Sequence, residues 1–143
     1  MTVSTILSVK GRDIFTIEPG ATLTAAAKLL AEKRIGALLI LGPDHRITGI
    51  LSERDIVRAI AERGAAALND FVSTVMTREV VTCRETETIT SIMDRMTSGK
   101  FRHLPVVDQD RPVGMISISD VIKYRVHEME RDAAQMREYI LTT

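Results

Sequence analysis

Residues 49–57, with the sequence Gly-Ile-Leu-Ser-Glu-Arg-Asp-Ile-Val, recur as residues 114–122, with the sequence Gly-Met-Ile-Ser-Ile-Ser-Asp-Val-Ile. Both copies contain a glycine, two apolar residues, a serine, two variable residues, an aspartate and two apolar residues. An internal repeat indicates two copies of one supersecondary unit, because each copy must bury its apolar face against the other. The architecture is therefore predicted to be a duplicated one.

The repeat covers more of the chain than these nine residues. Residues 16–41 align with residues 82–107, and one residue is gained or lost in the turn that follows. Residues 3–7 also resemble residues 72–76. A single copy of about 60 residues buries little surface by itself. We therefore expect the two copies to pack against each other as one compact unit.

Each copy shows the same order of apolar periods. Residues 14–17 and 80–83 are rich in β-branched side chains, which predicts short strands. Apolar residues at i, i+3, i+4 and i+7 then predict an amphipathic helix in each copy. These helical positions are Leu23, Ala26, Ala27 and Leu30 in the first copy and Ile89, Ile92, Met93 and Met96 in the second.

Two further strands and a second helix complete each copy. The predicted strands are residues 35–41 and 47–51, and residues 101–107 and 113–116. The second helix is predicted to begin at Ser52 or Ser117, and to end near Gly64 in the first copy, because glycine tolerates the positive φ of a helix C-terminus.

The predicted fold class is α/β (α+β): two pseudo-symmetric β-α-β-β-α repeats packed through their sheets, with a C-terminal helical extension. We expect the repeats to occupy residues 1–65 and 66–125, and the extension to occupy residues 126–143.

Composition excludes several function classes. The 143 residues include 19 Lys and Arg against 19 Asp and Glu, with 3% aromatic residues, which argues against a nucleic-acid partner. Residues 35–41 form the longest apolar stretch and are too short to span a bilayer, so we expect no membrane partner and a cytoplasmic location. The single Cys83 excludes an internal disulfide and is expected to be buried.

Ser52 and Asp55, and likewise Ser117 and Asp120, lie where a strand is predicted to meet a helix. A helix N-terminus favours an anion such as a phosphate, and an aspartate can accept hydrogen bonds from ribose hydroxyls. The same Ser-x-x-Asp pattern also forms a capping box that needs no ligand. From these residues alone, both interpretations stay open.

A second cluster distinguishes the two copies. Arg102 and His103 begin an otherwise apolar predicted strand, and both can donate to a phosphate. The alternative is a solvated strand entrance. Small residues, Gly36 and Ala37, occupy the aligned positions of the first copy. The two halves are therefore not chemically equivalent.

Neither a metal site nor catalysis is indicated. His45 and His127 lack cysteine or carboxylate partners at metal-ligand spacing. No serine lies in a Gly-x-Ser-x-Gly elbow beside a paired base. We therefore predict that the chain is not an enzyme.

The duplicated units, the sequence Arg-His-Leu-Pro-Val-Val-Asp from Arg102 and the Gly-h-h-Ser-x-x-Asp pattern resemble a tandem pair of cystathionine-β-synthase (CBS) domains, also called a Bateman module. The resemblance covers residues 2–125. It implies a stand-alone bacterial regulatory or sensory protein that binds an adenosine-containing ligand between its repeats. The expected ligands are AMP, ATP or NAD(H), and the expected assembly is a homodimer with an unknown downstream protein partner. A ligand-independent homodimeric scaffold is the alternative.

The resemblance also implies site residues. One site is expected to use Asp120 for the ribose, Ser117, Ser119, Arg102 and His103 near the phosphate, and Thr16, Ala21, Ile35, Gly36, Ala37 and Met115 around the adenine. A second site is expected to use Ile50, Ser52, Arg54, Asp55, Thr82, Phe101 and Arg102. At this second site, Glu87 occupies the position that corresponds to Ala21 of the first site, and Arg54 occupies the position that corresponds to Ser119. We therefore expect the Asp120 site to bind the nucleotide better.

The C-terminal segment carries its own pattern. Apolar residues recur at alternating spacings of four and three, as in a heptad repeat: Ile122, Val126, Met129, Ala133, Met136 and Ile140. About two and a half heptads do not form a stable isolated coiled coil. The seam is predicted to pack in a homodimer, with packing on a neighbouring helix of the same chain as the alternative.

Overall fold

The computed structural model describes residues 1–142, and the two halves of this chain share one order of elements. The first half contains α2 (Leu23–Lys33), β1 (Ala37–Leu41), β2 (Ile47–Ser52) and α3 (Glu53–Arg63). The second half contains α5 (Ile89–Gly99), β3 (His103–Asp108), β4 (Arg111–Ser117) and α6 (Ile118–Thr142). Two helices precede these units, α1 (Val3–Lys10) and α4 (Val72–Val75), and a 3-10 helix covers Gly64–Asn69. The predicted duplicated α+β architecture is confirmed.

The first predicted strand of each copy is shorter than expected. In residues 14–17 only Thr16 forms a β-bridge, parallel to Leu39, and in residues 80–83 only Cys83 does so, parallel to Val106. Each segment turns within three residues towards the next helix, at residues 19–20 and 85–86. That turn leaves no length for a second pair, so each half has a two-stranded sheet with one bridged segment beside it.

The two sheets have matching antiparallel registers. Ala37 pairs with Ser52 in the first sheet, and His103 pairs with Ser117 in the second. The first residue of one strand therefore lies opposite the serine that precedes the next helix. This register places β1 beside the N-terminus of α3, and β3 beside the N-terminus of α6.

Helices α1 and α4 explain the glycines of the repeated sequence. A Cβ on Gly114 would lie 2.8 Å from Leu7 Cδ2, and a Cβ on Gly49 would collide with Met76 Sδ. Leu7 lies on α1, and Met76 directly follows α4. Glycine at these two strand positions lets a helical segment cross close to the backbone.

Helix α1 packs into the core of the second half, although it lies at the start of the chain. Its three buried residues, Val3, Ile6 and Leu7, belong to the cluster that contains Ile92 and Leu104. In the same way Val72 of α4 and Met76 belong to the core of the first half, with Leu23 and Leu51. The two halves are held together by this interlocking of the chain.

The ends of the second helices agree with expectation. Helix α3 ends at Arg63, and Gly64 follows with φ of +72°, a conformation that glycine adopts without steric cost. The predicted C-terminal extension is continuous with α6, which runs without a break from Ile118 to Thr142. The last residue of the predicted extension, 143, lies outside the described residues. No helix within residues 1–142 combines the length and apolar character needed to cross a membrane.

The contact between α1 and β4 can be tested by a double-mutant cycle. Leu7→Ala removes a fully buried side chain and should lower the free energy of unfolding by about 2–5 kcal/mol. Gly114→Ala places a Cβ against Leu7 and should cost about 1–3 kcal/mol. The double variant should cost less than the sum of the two in urea unfolding, because alanine at residue 7 leaves room for the new methyl group. Strict additivity would contradict the contact.

Candidate functional site

Both Ser-x-x-Asp sequences form capping boxes at helix N-termini. Asp55 N donates to Ser52 Oγ at 3.3 Å, and Ser52 N donates to Asp55 Oδ2 at 2.8 Å. In the second half, Asp120 N donates to Ser117 Oγ at 3.2 Å and Ser117 N donates to Asp120 Oδ2 at 2.8 Å. The capping interpretation is therefore correct for both pairs. It leaves the carboxylates at the mouths of two cavities.

The larger cavity, of about 790 Å³, contains Asp120, and we call it the Asp120 cavity. It lies between the halves, because residues of β1, β4, α3 and α6 line it. Eight of the residues predicted for this site come together here: Ile35, Gly36, Ala37, His103, Met115, Ser117, Ser119 and Asp120.

Within residues 1–142, three predicted members of that site lie elsewhere. Thr16 pairs with Leu39, and the carbonyl of Ala21 accepts a hydrogen bond from Val72 N at 2.8 Å. Arg102 lines the second cavity instead. These three residues were assigned to the site by their alignment with family positions, and an alignment does not give the direction of a side chain.

The second cavity, of about 520 Å³, contains Asp55, and we call it the Asp55 cavity. Of the residues predicted for the second site, it gathers Ile50, Ser52, Arg54, Asp55, Phe101 and Arg102. Thr82 does not line it in the described part of the chain; its carbonyl accepts a hydrogen bond from Arg95 at 2.6 Å. Glu87, expected to bring negative charge to this site, pairs with Arg95 at 2.7 Å instead.

Lys10 is the important residue that the sequence interpretation missed. Its Nζ donates to Asp120 Oδ2 at 2.6 Å and to the carbonyl oxygen of Met115 at 2.7 Å. Burial alone raises the pKa of Asp120, but hydrogen bonds from Lys10 and Ser117 outweigh burial and hold this pKa below its ordinary value of 3.8. The Asp120 carboxylate, which was expected to bind a ribose, is therefore already paired with the Lys10 ammonium group.

A signal for Lys10 was present in the repeat. Residues 3–7 align with residues 72–76, and Leu7 and Met76 cover equivalent glycines. Extending this alignment by three residues pairs Lys10 with Glu79. Lys10 lines the Asp120 cavity and Glu79 lines the Asp55 cavity. One aligned position thus supplies opposite charges to the two cavities.

The two cavities differ in charge. Four cationic and three acidic residues line the Asp55 cavity: Arg54, Arg58, Lys100 and Arg102 against Glu53, Asp55 and Glu79. Two cationic and three acidic residues line the Asp120 cavity: Lys10 and Arg34 against Asp13, Glu53 and Asp120. An anion is therefore better accommodated in the Asp55 cavity.

His103 lines both cavities. Its imidazole lies against Gly36, where an added Cβ would be 2.7 Å from His103 Nε2. The small residue of the first half thus makes room for the imidazole of the second. Burial lowers the pKa of His103 from its ordinary value of 6.5, and the opposing effect of the Glu53 carboxylate is smaller. At neutral pH the ring is therefore uncharged, with one nitrogen to donate and one to accept.

Comparison with known proteins identifies the family. The CBS domain family model matches residues 6–62 and 72–127. A CBS-domain protein from Agrobacterium tumefaciens is 42% identical, with a TM-score of 0.85 over 87% of this chain and 99% of its own. This chain belongs to the CBS domain family and is a CBS domain pair.

Two similar structures contain adenosine compounds. The CBS domain pair of protein MJ0100, 26% identical with a TM-score of 0.79 over 90% of this chain and 98% of its own, is in complex with 5′-methylthioadenosine and S-adenosyl-L-methionine. A CBS domain protein from Pyrobaculum aerophilum, 28% identical with a TM-score of 0.74 over 84% and 89%, is complexed with AMP. These ligands are properties of those proteins.

The environment of His103 predicts a pH dependence of stability. The unfolded chain takes up a proton on His103 near pH 6.5, whereas the folded chain does so only at lower pH. The folded state then binds fewer protons, so the free energy of unfolding should fall as the pH drops through about 6.5. Urea unfolding at roughly pH 7.5 and roughly pH 5.5 should show a smaller fall for His103→Gln than for the wild type.

The matched control for this experiment is His45→Gln, in the exposed turn between β1 and β2. It removes an imidazole that lines neither cavity in the described chain. An equal change in pH dependence for both variants would contradict the role of the buried ring.

Proposed function

We propose that this chain is a regulatory or sensory module that binds an adenine nucleotide, AMP, ATP or NAD(H), between its CBS repeats. In this proposal it acts as a homodimer on a downstream protein partner and is not an enzyme. The observation that carries the proposal is the combination of residues in the Asp55 cavity. A helix N-terminus and a carboxylate on α3 there face Arg102 and Lys100 of the second half.

Each part of a nucleotide has a chemical counterpart in the Asp55 cavity. The guanidinium groups of Arg54 and Arg102 offer planar sets of donors that suit a phosphate. The Asp55 carboxylate can accept from ribose hydroxyls at Oδ1, where its own partner is the longer 3.4 Å contact from Arg58. Ile50 and Phe101 provide apolar surface for a base. The excess of cationic residues favours the charged nucleotide here, which reverses the preference for the Asp120 site expected from the sequence.

The Asp120 cavity suits an adenosine compound without a phosphate. Its three acidic residues outnumber its two cationic ones, and Lys10 is already paired with Asp120. A ribose that reaches this carboxylate must displace Lys10 or share the oxygen with it. Methylthioadenosine in the MJ0100 structure is a compound of this class.

Ligand-dependent stability tests the proposal. A ligand at one hundred times its dissociation constant should raise the free energy of unfolding by about 2.7 kcal/mol. At least one of AMP, ATP, NAD and NADH should stabilise the wild-type chain through the Asp55 cavity, and Arg102→Gln should weaken its binding about tenfold, because the phosphate loses a charged donor. Calorimetric titration measures the affinity directly.

The matched control is Arg46→Gln, an exposed arginine that pairs with Asp44 in the turn between β1 and β2. It should bind nucleotide as the wild type does. The absence of stabilisation by all of these nucleotides would overturn the proposal and favour the ligand-independent scaffold, for which the capping boxes are the supporting observation, because they give the Ser-x-x-Asp residues a structural role.

Lys10 gives a separate prediction for the Asp120 cavity. Lys10→Met should tighten the binding of adenosine or methylthioadenosine up to about fivefold, because the ligand no longer competes with a partly exposed ion pair worth up to about 1 kcal/mol. AMP binding in the Asp55 cavity should be unchanged. Weaker adenosine binding in this variant would mean that Lys10 itself contacts the ligand.

A further inference from the structure

Helix α6 leaves the body of the molecule partway along its length. Its first turns are anchored: Val121 is fully buried, and Ile118 and Tyr124 pack against the core of the second half. Every described residue from Met129 to Thr142 is exposed. At a rise of about 1.5 Å per residue, this part of the helix projects roughly 20 Å. Helices of this length are marginally stable in water unless other elements pack against them.

One face of α6, from its first turns into the exposed part, carries the apolar seam predicted from the sequence. Ile122 and Val126 are each 48% exposed, Met129 is 56% exposed and Met136 is 60% exposed. At about 100° per residue, the seam is centred roughly a quarter turn away from the buried Val121. A partner can therefore cover the seam without disturbing the contact between α6 and its own body.

The charges beside the seam favour a second copy of the same helix in parallel. In a parallel pair, the residue just before Val126 and the residue just before Ala133 each lie opposite the residue five places later on the other helix. Arg125 then meets Glu130 of the partner subunit, and Asp132 meets Arg137 of the partner subunit. Within residues 1–142, the salt bridge of Arg125 is a long contact of 3.8 Å with Glu128 of its own helix. Twofold symmetry repeats each attraction, so four pairs form.

An antiparallel pair of α6 helices cannot both cover the whole seam and bring opposite charges together. An antiparallel pair that covers the whole seam brings Glu130 beside the partner's Glu130 and Asp132 beside the partner's Asp132, and these like charges repel. Antiparallel registers shifted by one heptad separate those charges, but one leaves Met136 uncovered and the other leaves Ile122 and Val126 uncovered. The parallel arrangement alone covers the seam and pairs opposite charges.

We propose that residues 122–136 of α6 pair in parallel with the same residues of a second copy, so that the seam forms the contact between subunits. This inference refines the homodimer of the proposed function and is independent of its ligand. The short seam does not act as an isolated coiled coil, because the anchored first turns of each α6 nucleate the helix before pairing.

Disulfide crosslinking tests the orientation in the full chain. Met136→Cys places a thiol at the centre of the parallel seam, where it faces the partner's residue 136. The native Cys83 does not interfere, because it is buried and burial raises the pKa of its thiol to about 12. Mild oxidation should convert most of this variant to a covalent dimer. Arg131→Cys, on the outer side of the helix, is the matched control and should stay largely monomeric on a denaturing gel.

Charge exchange provides a second test. Asp132→Arg and Arg137→Asp should each weaken the dimer about tenfold in sedimentation equilibrium, because each turns two attractions into repulsions. The double variant should restore the dimer, and the two single variants mixed together should form heterodimers. Arg131→Asp, with the same charge change as Arg137→Asp, should have little effect.

Failure of this inference is distinguishable from failure of the proposed function. A dimer that persists while Met136→Cys does not crosslink, or in which the double variant is not restored, would overturn the helix pairing even if nucleotide binding is intact. Loss of nucleotide binding with normal crosslinking would instead contradict the proposed ligand.

Discussion

The rest of this structure depends on the packing of α1 across the second repeat. Leu7 occupies the space that a side chain on Gly114 would need, and Val3 and Ile6 complete the core around Leu104. Because α1 is the first element of the chain and β4 is nearly the last, this contact ties both ends together. In the first half, Met76 packs on Gly49 in the equivalent way. Two repeats of about 60 residues, a size at which a single core is marginal, thereby form one interlocked unit.

The same crossing determines the chemistry of the two cavities. Lys10 follows Leu7 by three residues on α1, so the helix that fills the core also delivers a cation to Asp120. The equivalent position after α4 is Glu79, which lies beside the Asp55 cavity. The repeats therefore share a backbone plan, while one aligned position on the crossing segments adds a cation to the Asp120 cavity and a carboxylate to the Asp55 cavity.

The sequence predicted the parts of this molecule that follow from local patterns. Apolar spacing identified α2 and α5, and the Ser-x-x-Asp pattern located the starts of α3 and α6. The first strand of each repeat was predicted too long, since β propensity in residues 14–17 does not reveal that the chain turns immediately afterwards. Arg102 was expected in the Asp120 site as well as in the Asp55 site, because alignment gives a position along the chain and not a side-chain direction. Lys10 was missed because its partner is more than a hundred residues away.

Helix α6 contains both Asp120 and the apolar seam, which were predicted from the sequence as two separate features. Asp120 lies in its first turn, and the exposed seam begins two residues later at Ile122. A continuous α-helix is stiff over this length, so a small rotation or shift at its N-terminus is carried along the whole rod. Lys10 of α1 pairs with Asp120 in that first turn, so α1 contacts the start of the same helix that carries the seam. Part of the wall of the Asp120 cavity and the seam thus belong to one helix that runs without a break.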